Sequence, residues 1–221
     1  MIQIHSIILI VGAYLLGSVP FGLLIARAHG VDLRAVGSGN IGATNVSRAL
    51  GKKWAYVCFV LDVLKGLTPM LLARAIDVVS NQPTTGELFV WLLIGCAAVC
   101  GHIFPIYLKF KGGKGVATSL GVVLGLWPYF TLCGAAAFGV WAMAVLTWRY
   151  VSLASIIAAI SFPLLFAVLM ILLDSWQFSR LWPLLFVAVI MALLVVARHA
   201  ENIKRLRNGS EHKIGRPKTT P

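Results

Sequence analysis

The sequence predicts an all-α, polytopic integral membrane protein with seven transmembrane helices, its N-terminus outside and its C-terminus in the cytoplasm. Three observations carry that prediction. Hydrophobic residues make up 59% of the 221-residue chain and charged residues only 12%, and the mean hydropathy is +0.90. The apolar residues fall in repeated runs near the ~20 residues that a helix needs to cross a hydrocarbon core ~30 Å thick. Every Lys and Arg except Lys65, Arg74 and Arg180 lies in segments that would share one side of the membrane, a bias that marks the cytoplasmic face. The net charge of +12 is therefore a signature of orientation, and nucleic acid is not expected as a partner.

The first apolar run, about Ile4 to Ala26, is broken near its end by Gly17 and Pro20. It lacks a basic leader and an obvious small-residue cleavage site, so it is expected to remain as a helix. A basic segment follows from Arg27 to Lys53. The second span, about Trp54 to Ala75, carries Asp62 and Lys65 within it. Past the polar segment Asp77 to Glu87, a third span covers about Leu88 to Leu108, and the loop KFKGGKG runs from Lys109 to Gly115. The stretch Val116 to Leu146 is too long for one span and holds Trp127–Pro128 near its middle, which predicts two short helices with a turn there. Without that split the positive residues of the tail would fall outside, against the charge bias. Arg149 and Tyr150 mark the next boundary. A sixth span covers about Ser152 to Leu173 and a seventh about Leu181 to Val196, with a turn at Asp174 to Arg180 between them. One membrane domain, residues 1–206, is thus followed by a basic cytoplasmic tail, 207–221, expected to be disordered. The cysteines, Cys58, Cys96, Cys100 and Cys133, lie in apolar runs without metal-like or disulfide-like spacing and are expected to pack as small hydrophobes.

Against this apolar background the polar segments stand out. Gly37 to Arg48 reads GSGNIGATNVSR, with three glycines, two asparagines, three hydroxyl residues, one arginine and no carboxylate. Glycines let a ligand approach the backbone, and successive N–H groups in such a turn form an anion-binding nest. Ser38, Thr44 and Ser47 add hydroxyl donors, and Arg48 adds a fork suited to phosphate. The spacing of Gly37, Gly39 and Gly42 also fits a dinucleotide fingerprint, but a membrane helix precedes it where a strand is required, so a dinucleotide fold is rejected. In Gly112 to Gly115, glycines frame Lys114 at the start of a helix, where free N–H groups and the positive dipole end favour phosphate. It is not a Walker A loop, because no glycine stands at the earlier position and Gly115 replaces the Ser or Thr. Lys109 and Lys111 are read as positive-inside residues. Ser152, in RYVSLAS, could cap the sixth span or bind substrate. In RHAENIKR, His199 and Asn202 share a face at i, i+3 if the helix continues. Asp62 and Lys65, also at i, i+3, are expected to serve structure, paired with each other or with Asp62 anchoring a cytoplasmic-side arginine.

These segments together resemble the bacterial acyl-phosphate:glycerol-3-phosphate acyltransferases, the PlsY family. GSGNIGATNVSR, GHIFPIYLKFKGGKGVAT and RHAENIKRL stand in the family's order and approximate spacing, and the resemblance covers about Ala13 to Leu206. It implies a seven-helix enzyme of the bacterial inner membrane with its active site on the cytoplasmic side. The substrates it implies are sn-glycerol 3-phosphate and a long-chain acyl phosphate, the latter supplied by an acyl-phosphate-forming enzyme upstream. The implied products are 1-acyl-sn-glycerol 3-phosphate and phosphate, in phospholipid biosynthesis, with membrane lipid as the surroundings. Carried over by motif, Ser38, Arg48, His199 and Asn202 are catalytic candidates. Ser38, Gly39, Thr44, Asn45, Arg48, Gly112, Gly113, Lys114, Gly115, Ser152, His199 and Asn202 are candidates for binding the phosphates. The role of Glu201, beside Asn202, is left open.

An acyl phosphate is already activated, so neither a metal nor a cofactor is expected; the chemistry asks for cationic, donor-rich groups that stabilise an oxyanion and a leaving phosphate. The acceptor hydroxyl must lose a proton, either to His199 or to a substrate phosphate that His199 and Asn202 orient. The acyltransferase signature H-x4-D follows none of the five histidines, which separates this chain from that class. A transporter of organic phosphate would use similar basic loops. It would also need polar residues through several spans, and beyond Asp62 and Lys65 the runs offer little.

Overall fold

The computed structural model describes residues 4–214 and contains α-helices and one short 3-10 turn among them, with no strand. The chain divides into two compact units, residues 1–127 and 128–221.

In the first unit, α1 (Ile4–Ser18) and α2 (Phe21–Ala28) are parted at Val19–Pro20. Proline has no N–H to donate and disfavours helical backbone in the residue before it, so the expected interruption of the first span is a true break. The polar loop leads into the short α3 (Ala43–Leu50), then α4 (Lys52–Ala75), α5 (Thr85–Ile103), the 3-10 turn Ile106–Leu108 and α6 (Val116–Gly125). The start of α5 is set by a capping box. The Glu87 N–H donates to Thr84 Oγ1 at 3.3 Å and the Thr84 N–H to Glu87 Oε2 at 2.7 Å, which satisfies two donors that a helix start leaves open.

Helix α5 is the centre of this unit. In its most apolar stretch 56% of the residues are buried, against 33% or fewer in every other long helix, and Trp91, Ile94 and Ile103 are fully enclosed. Close helix contacts follow from small residues, as they do where lipid offers no hydrophobic gain for association. An added methyl at Gly17 would overlap the Ala98 carbonyl and one at Gly101 the Tyr14 carbonyl, which brings α1 onto α5. Gly66 against Thr118 and Gly121 against Val63 bring α4 onto α6 in the same way.

The second unit contains α7 (Tyr129–Trp148), α8 (Val151–Leu172), α9 (Phe178–Arg198) and α10 (Ala200–Arg207). Arg149, at φ +62°, makes the tight turn between α7 and α8. Phe130 meets Phe162 and Phe166 edge-on, with ring centroids 5.0 and 5.5 Å apart, and Trp141 Nε1 donates to Ser155 Oγ at 3.3 Å.

Among the described residues six segments are long and apolar enough to cross a membrane, with α1 and α2 counted as one. The Val116–Leu146 region turns where expected but divides unevenly: α6 has 10 residues and α7 has 20. At 1.5 Å per residue, α6 is about 15 Å long, roughly half a hydrocarbon core. The tail also differs from expectation. Arg207 still belongs to α10, and residues 208–214 fold back, with the Ile214 N–H donating to the Arg149 carbonyl at 2.8 Å and Lys213 Nζ 5.0 Å from the Tyr150 ring centroid. The remainder of the expected disordered tail, 215–221, lies outside the described residues.

Candidate active site

In the first unit the polar stretch is shaped by one buried side chain. Asn45, 1% exposed, donates through Nδ2 to the carbonyls of Leu33 and Val36 at 2.9 and 3.0 Å, and its Oδ1 accepts the Ser38 N–H at 3.0 Å. Its amide is thereby committed to holding the loop, a structural use of a residue expected to touch phosphate. Gly37 and Gly39 have φ of +60° and +66°, the left-handed backbone that only glycine adopts freely. Arg48 lies along the same turn: a Cβ on Gly37 would come within 3.1 Å of Arg48 Cδ. Ser38 and Thr44 are exposed, and Gly39 and Arg48 are half-buried.

The second loop of this unit is tied to the end of α5. The last carbonyls of a helix have no partner within it, and here the Gly112 N–H donates to the Ile103 carbonyl at 3.2 Å and the Gly113 N–H to the His102 carbonyl at 3.0 Å. Lys109 and Phe110 turn the chain with φ of +49° and +62°. Gly115, at φ +84°, is the N-cap of α6, so half-buried Lys114 stands directly before a helix N-terminus as expected. Arg34 Nη2 donates to the Lys111 carbonyl at 2.7 Å and joins the two loops. Ser38, Gly39 and Gly112–Gly115 are thus carried by two loops that a cross-link connects, with Thr44 and Arg48 on α3, directly after the first loop.

The second unit gathers Ser152 and Asn202 around a residue that sequence reasoning missed. The Glu211 carboxylate accepts from Ser152 Oγ at 2.8 Å, Asn202 Nδ2 at 2.7 Å and Arg205 Nε at 2.8 Å. Burial alone would raise this carboxyl, but the bonds from Arg205, Ser152 and Asn202 outweigh burial and hold it below its ordinary value. Ser152 is not a helix cap, since Tyr150 occupies that position without a side-chain bond; its hydroxyl reaches Glu211 instead. Glu201, the carboxylate considered from sequence, is exposed.

His199 does not lie within one continuous helix with Asn202. It is the junction where α9 ends and α10 begins, is 2% exposed, and has Nδ1 2.8 Å from the Val195 carbonyl. A carbonyl only accepts, so Nδ1 carries the hydrogen and Nε2 is the acceptor of the neutral ring.

Arg34 and Glu211 were legible only as composition. Arg34 was one positive charge among several, and Glu211 was the single carboxylate in a basic tail.

The family model described as glycerol-3-phosphate acyltransferase matches residues 7–209. A glycerol-3-phosphate acyltransferase of Geotalea daltonii is 46% identical over 208 residues, spanning 94% of this chain and 96% of that protein. One of Aquifex aeolicus is 46% identical over 209 residues, 95% and 99% of the two. The crystal structure of PlsY (YgiH), an integral membrane glycerol 3-phosphate acyltransferase in its glycerol 3-phosphate form, superposes with a TM-score of 0.80 at 44% identity, covering 96% of each chain. Its lysophosphatidic acid form superposes at 0.78 and 43% identity. With glycine-framed Lys114, Arg48 and the Ser152, His199 and Asn202 positions inside the matched region, the chain belongs to the glycerol-3-phosphate acyltransferase family and is an acyltransferase.

Proposed function

We propose that this protein transfers the acyl group of a long-chain acyl phosphate to the 1-hydroxyl of sn-glycerol 3-phosphate, yielding 1-acyl-sn-glycerol 3-phosphate and inorganic phosphate. The observation that carries the reading is the glycine-framed Lys114 at the N-terminus of α6, on a loop joined through Arg34 to the turn that the Arg48 side chain lies along. Both the donor and the acceptor bear phosphate. The acceptor oxygen attacks the acyl carbon, the bond from that carbon to the phosphate oxygen breaks, and phosphate leaves with the electron pair. Arg48, Lys114, Ser38 and the N–H groups that open α6 hold phosphate oxygens and the developing negative charge, a contribution that grows in a water-poor site. Asn45 keeps the first loop in shape. The hydroxyl proton passes to His199 Nε2 or to an oxygen of the departing phosphate, and Ser152 and Asn202 orient the groups that take part. A pH–rate profile separates the two routes: if His199 is the base, His199→Ala loses the limb that reports imidazole and most of its activity.

Seven crossings accompany this reading, with short α6 as the fourth, the N-terminus outside and the basic loops in the cytoplasm of a bacterial inner membrane. The distribution of Lys and Arg supports it. Cysteine accessibility at residues 110 and 207, probed from either side of inverted vesicles, tests it.

The first assay is phosphate release from palmitoyl phosphate, with and without sn-glycerol 3-phosphate, alongside Lys114→Ala and with palmitoyl-CoA as an alternative donor. Release that requires glycerol 3-phosphate, forms the lyso-lipid and collapses in the variant is the expected outcome. Turnover only with the thioester would overturn the donor.

A further inference from the structure

Three ionisable side chains meet inside the first unit, within segments of membrane-spanning length. Lys65 Nζ is 2.8 Å from Asp62 Oδ1, and His102 Nδ1 is 3.7 Å from the same oxygen; all three side chains are 5% exposed or less. Lys65 also donates to the Val19 carbonyl at 2.9 Å, at the break between α1 and α2. Cys58 Sγ approaches the other carboxylate oxygen at 3.7 Å. Ionisable groups at membrane depth are costly, which makes each one a candidate for function. Lys65 already balances the charge of Asp62 and occupies a carbonyl that the broken helix leaves open. Electroneutrality therefore gives no reason for a histidine to stand there as well.

The reason lies on the other side of the ring. The His102 carbonyl accepts the Gly113 N–H, and an added methyl on Gly113 would overlap His102 Nε2 and lie 2.9 Å from Cδ2 and Cε1. The imidazole is the surface against which the backbone beside Lys114 is laid. Gly113 is a glycine because the ring fills its Cβ position, not because its backbone needs left-handed freedom, since its φ is not positive. One edge of His102 meets Asp62, and the opposite edge and the carbonyl meet the loop.

We propose that Asp62 and His102 are positioning residues for the phosphate loop: Asp62 sets the orientation of the imidazole, and the imidazole sets where the loop presents Lys114 and the N-terminus of α6 to a phosphate monoester. This rests on the acyl-transfer reading, and the phosphate could be that of the glycerol acceptor or that of the acyl donor. Displacing a binding loop weakens what it holds while the helices stay folded, so support of this kind has a kinetic signature, in KM, distinct from folding.

The test is steady-state kinetics of purified protein in lipid, with KM measured separately for sn-glycerol 3-phosphate and for palmitoyl phosphate. His102→Ala is expected to raise one KM about tenfold or more while kcat changes less than about threefold; the substrate whose KM moves identifies the phosphate that the loop holds. Gly113→Ala is expected to raise the same KM through overlap with the ring. Shortening the ring in His102→Asn keeps a polar side chain beside Asp62 and vacates the space beside residue 113. The double variant His102→Asn, Gly113→Ala is therefore expected to bind better than Gly113→Ala alone, the non-additivity expected of two residues in contact. A reduced kcat with unchanged KM in His102→Ala, or effects that simply multiply in the double variant, would overturn the proposal. If His102→Ala does not fold, the Asn and double variants decide in the same way. If wild type releases no glycerol 3-phosphate-dependent phosphate, the acyl-transfer reading fails. Calorimetric titration of the same variants with sn-glycerol 3-phosphate and with inorganic phosphate then decides the positioning role: suppression in the double variant upholds it and equal affinities across the set overturn it.

Discussion

The two units build their polar sites from different materials. In the first, the backbone does most of the work: positive φ at Gly37, Gly39 and Gly115, and loop N–H groups paired with the last carbonyls of α5. In the second, side chains from α8, α10 and the segment beyond it converge on one carboxylate, Glu211. A backbone site is local and depends on residues that have almost no side chain, so small additions break it. A side-chain cluster is non-local and depends on charge, so removing a charge loosens it while the backbone stays in place.

The largest effect should come from the cation of the backbone site. Lys114→Ala is expected to lower kcat/KM by about 100- to 1,000-fold, the usual loss when a donor to developing charge is deleted, as read by glycerol 3-phosphate-dependent phosphate release. An equal loss in Lys111→Ala would show that general positive charge matters, not the framed position. Next in size is Gly112→Ala. Its methyl would overlap the His102 carbonyl and the Pro105 ring and lie 2.6 Å from the Ile103 carbonyl, and these backbone groups cannot rotate away. A loss of about tenfold or more in kcat/KM is expected; wild-type kinetics in this variant would show the loop to be more pliant than a backbone-built site allows.

The side-chain cluster should respond more gently. Glu211→Gln keeps the shape but leaves the Arg205 guanidinium without its carboxylate, at a cost of about 1–3 kcal/mol, and thermal unfolding of the purified protein should shift downward accordingly. The pH dependence follows from the direction of the Glu211 shift. Because its carboxyl is lower in the folded protein than when unfolded, the stabilisation is fully present above the unfolded value, about 4.3. It is lost as pH falls through the folded value. The stability gap between wild type and Glu211→Gln should therefore be constant from pH 5 to 8 and close in stronger acid, and a gap that opened toward acid would refute the assignment. The smallest effect belongs to Glu201→Ala. Exposed Glu201 should tolerate the change within about 0.5 kcal/mol and with kinetics unaltered, which would settle which of the two C-terminal glutamates matters.

The sequence alone determined the class of the protein and marked the first candidate site. Apolar runs of bilayer length, the break at Pro20 and the turn at Pro128 are all encoded over a few adjacent residues, because helix length and proline's missing N–H are local properties. The same is true of the glycine-framed loops, where the residue type states what the backbone must do. The sequence could not show that α6 is a short helix of 10 residues, since helix ends in an apolar stretch are chosen by packing, here Gly66 and Gly121 against backbone of the facing helix. Nor could it show that Asn45 is committed to the loop, that His102 stands between Asp62 and Gly113, or that a carboxylate nine residues beyond Asn202 collects Ser152, Asn202 and Arg205. Those partners lie far apart along the chain and carry no common period. They become neighbours only when buried polar atoms must find one another to avoid remaining unpaired, and that condition exists only in the folded structure.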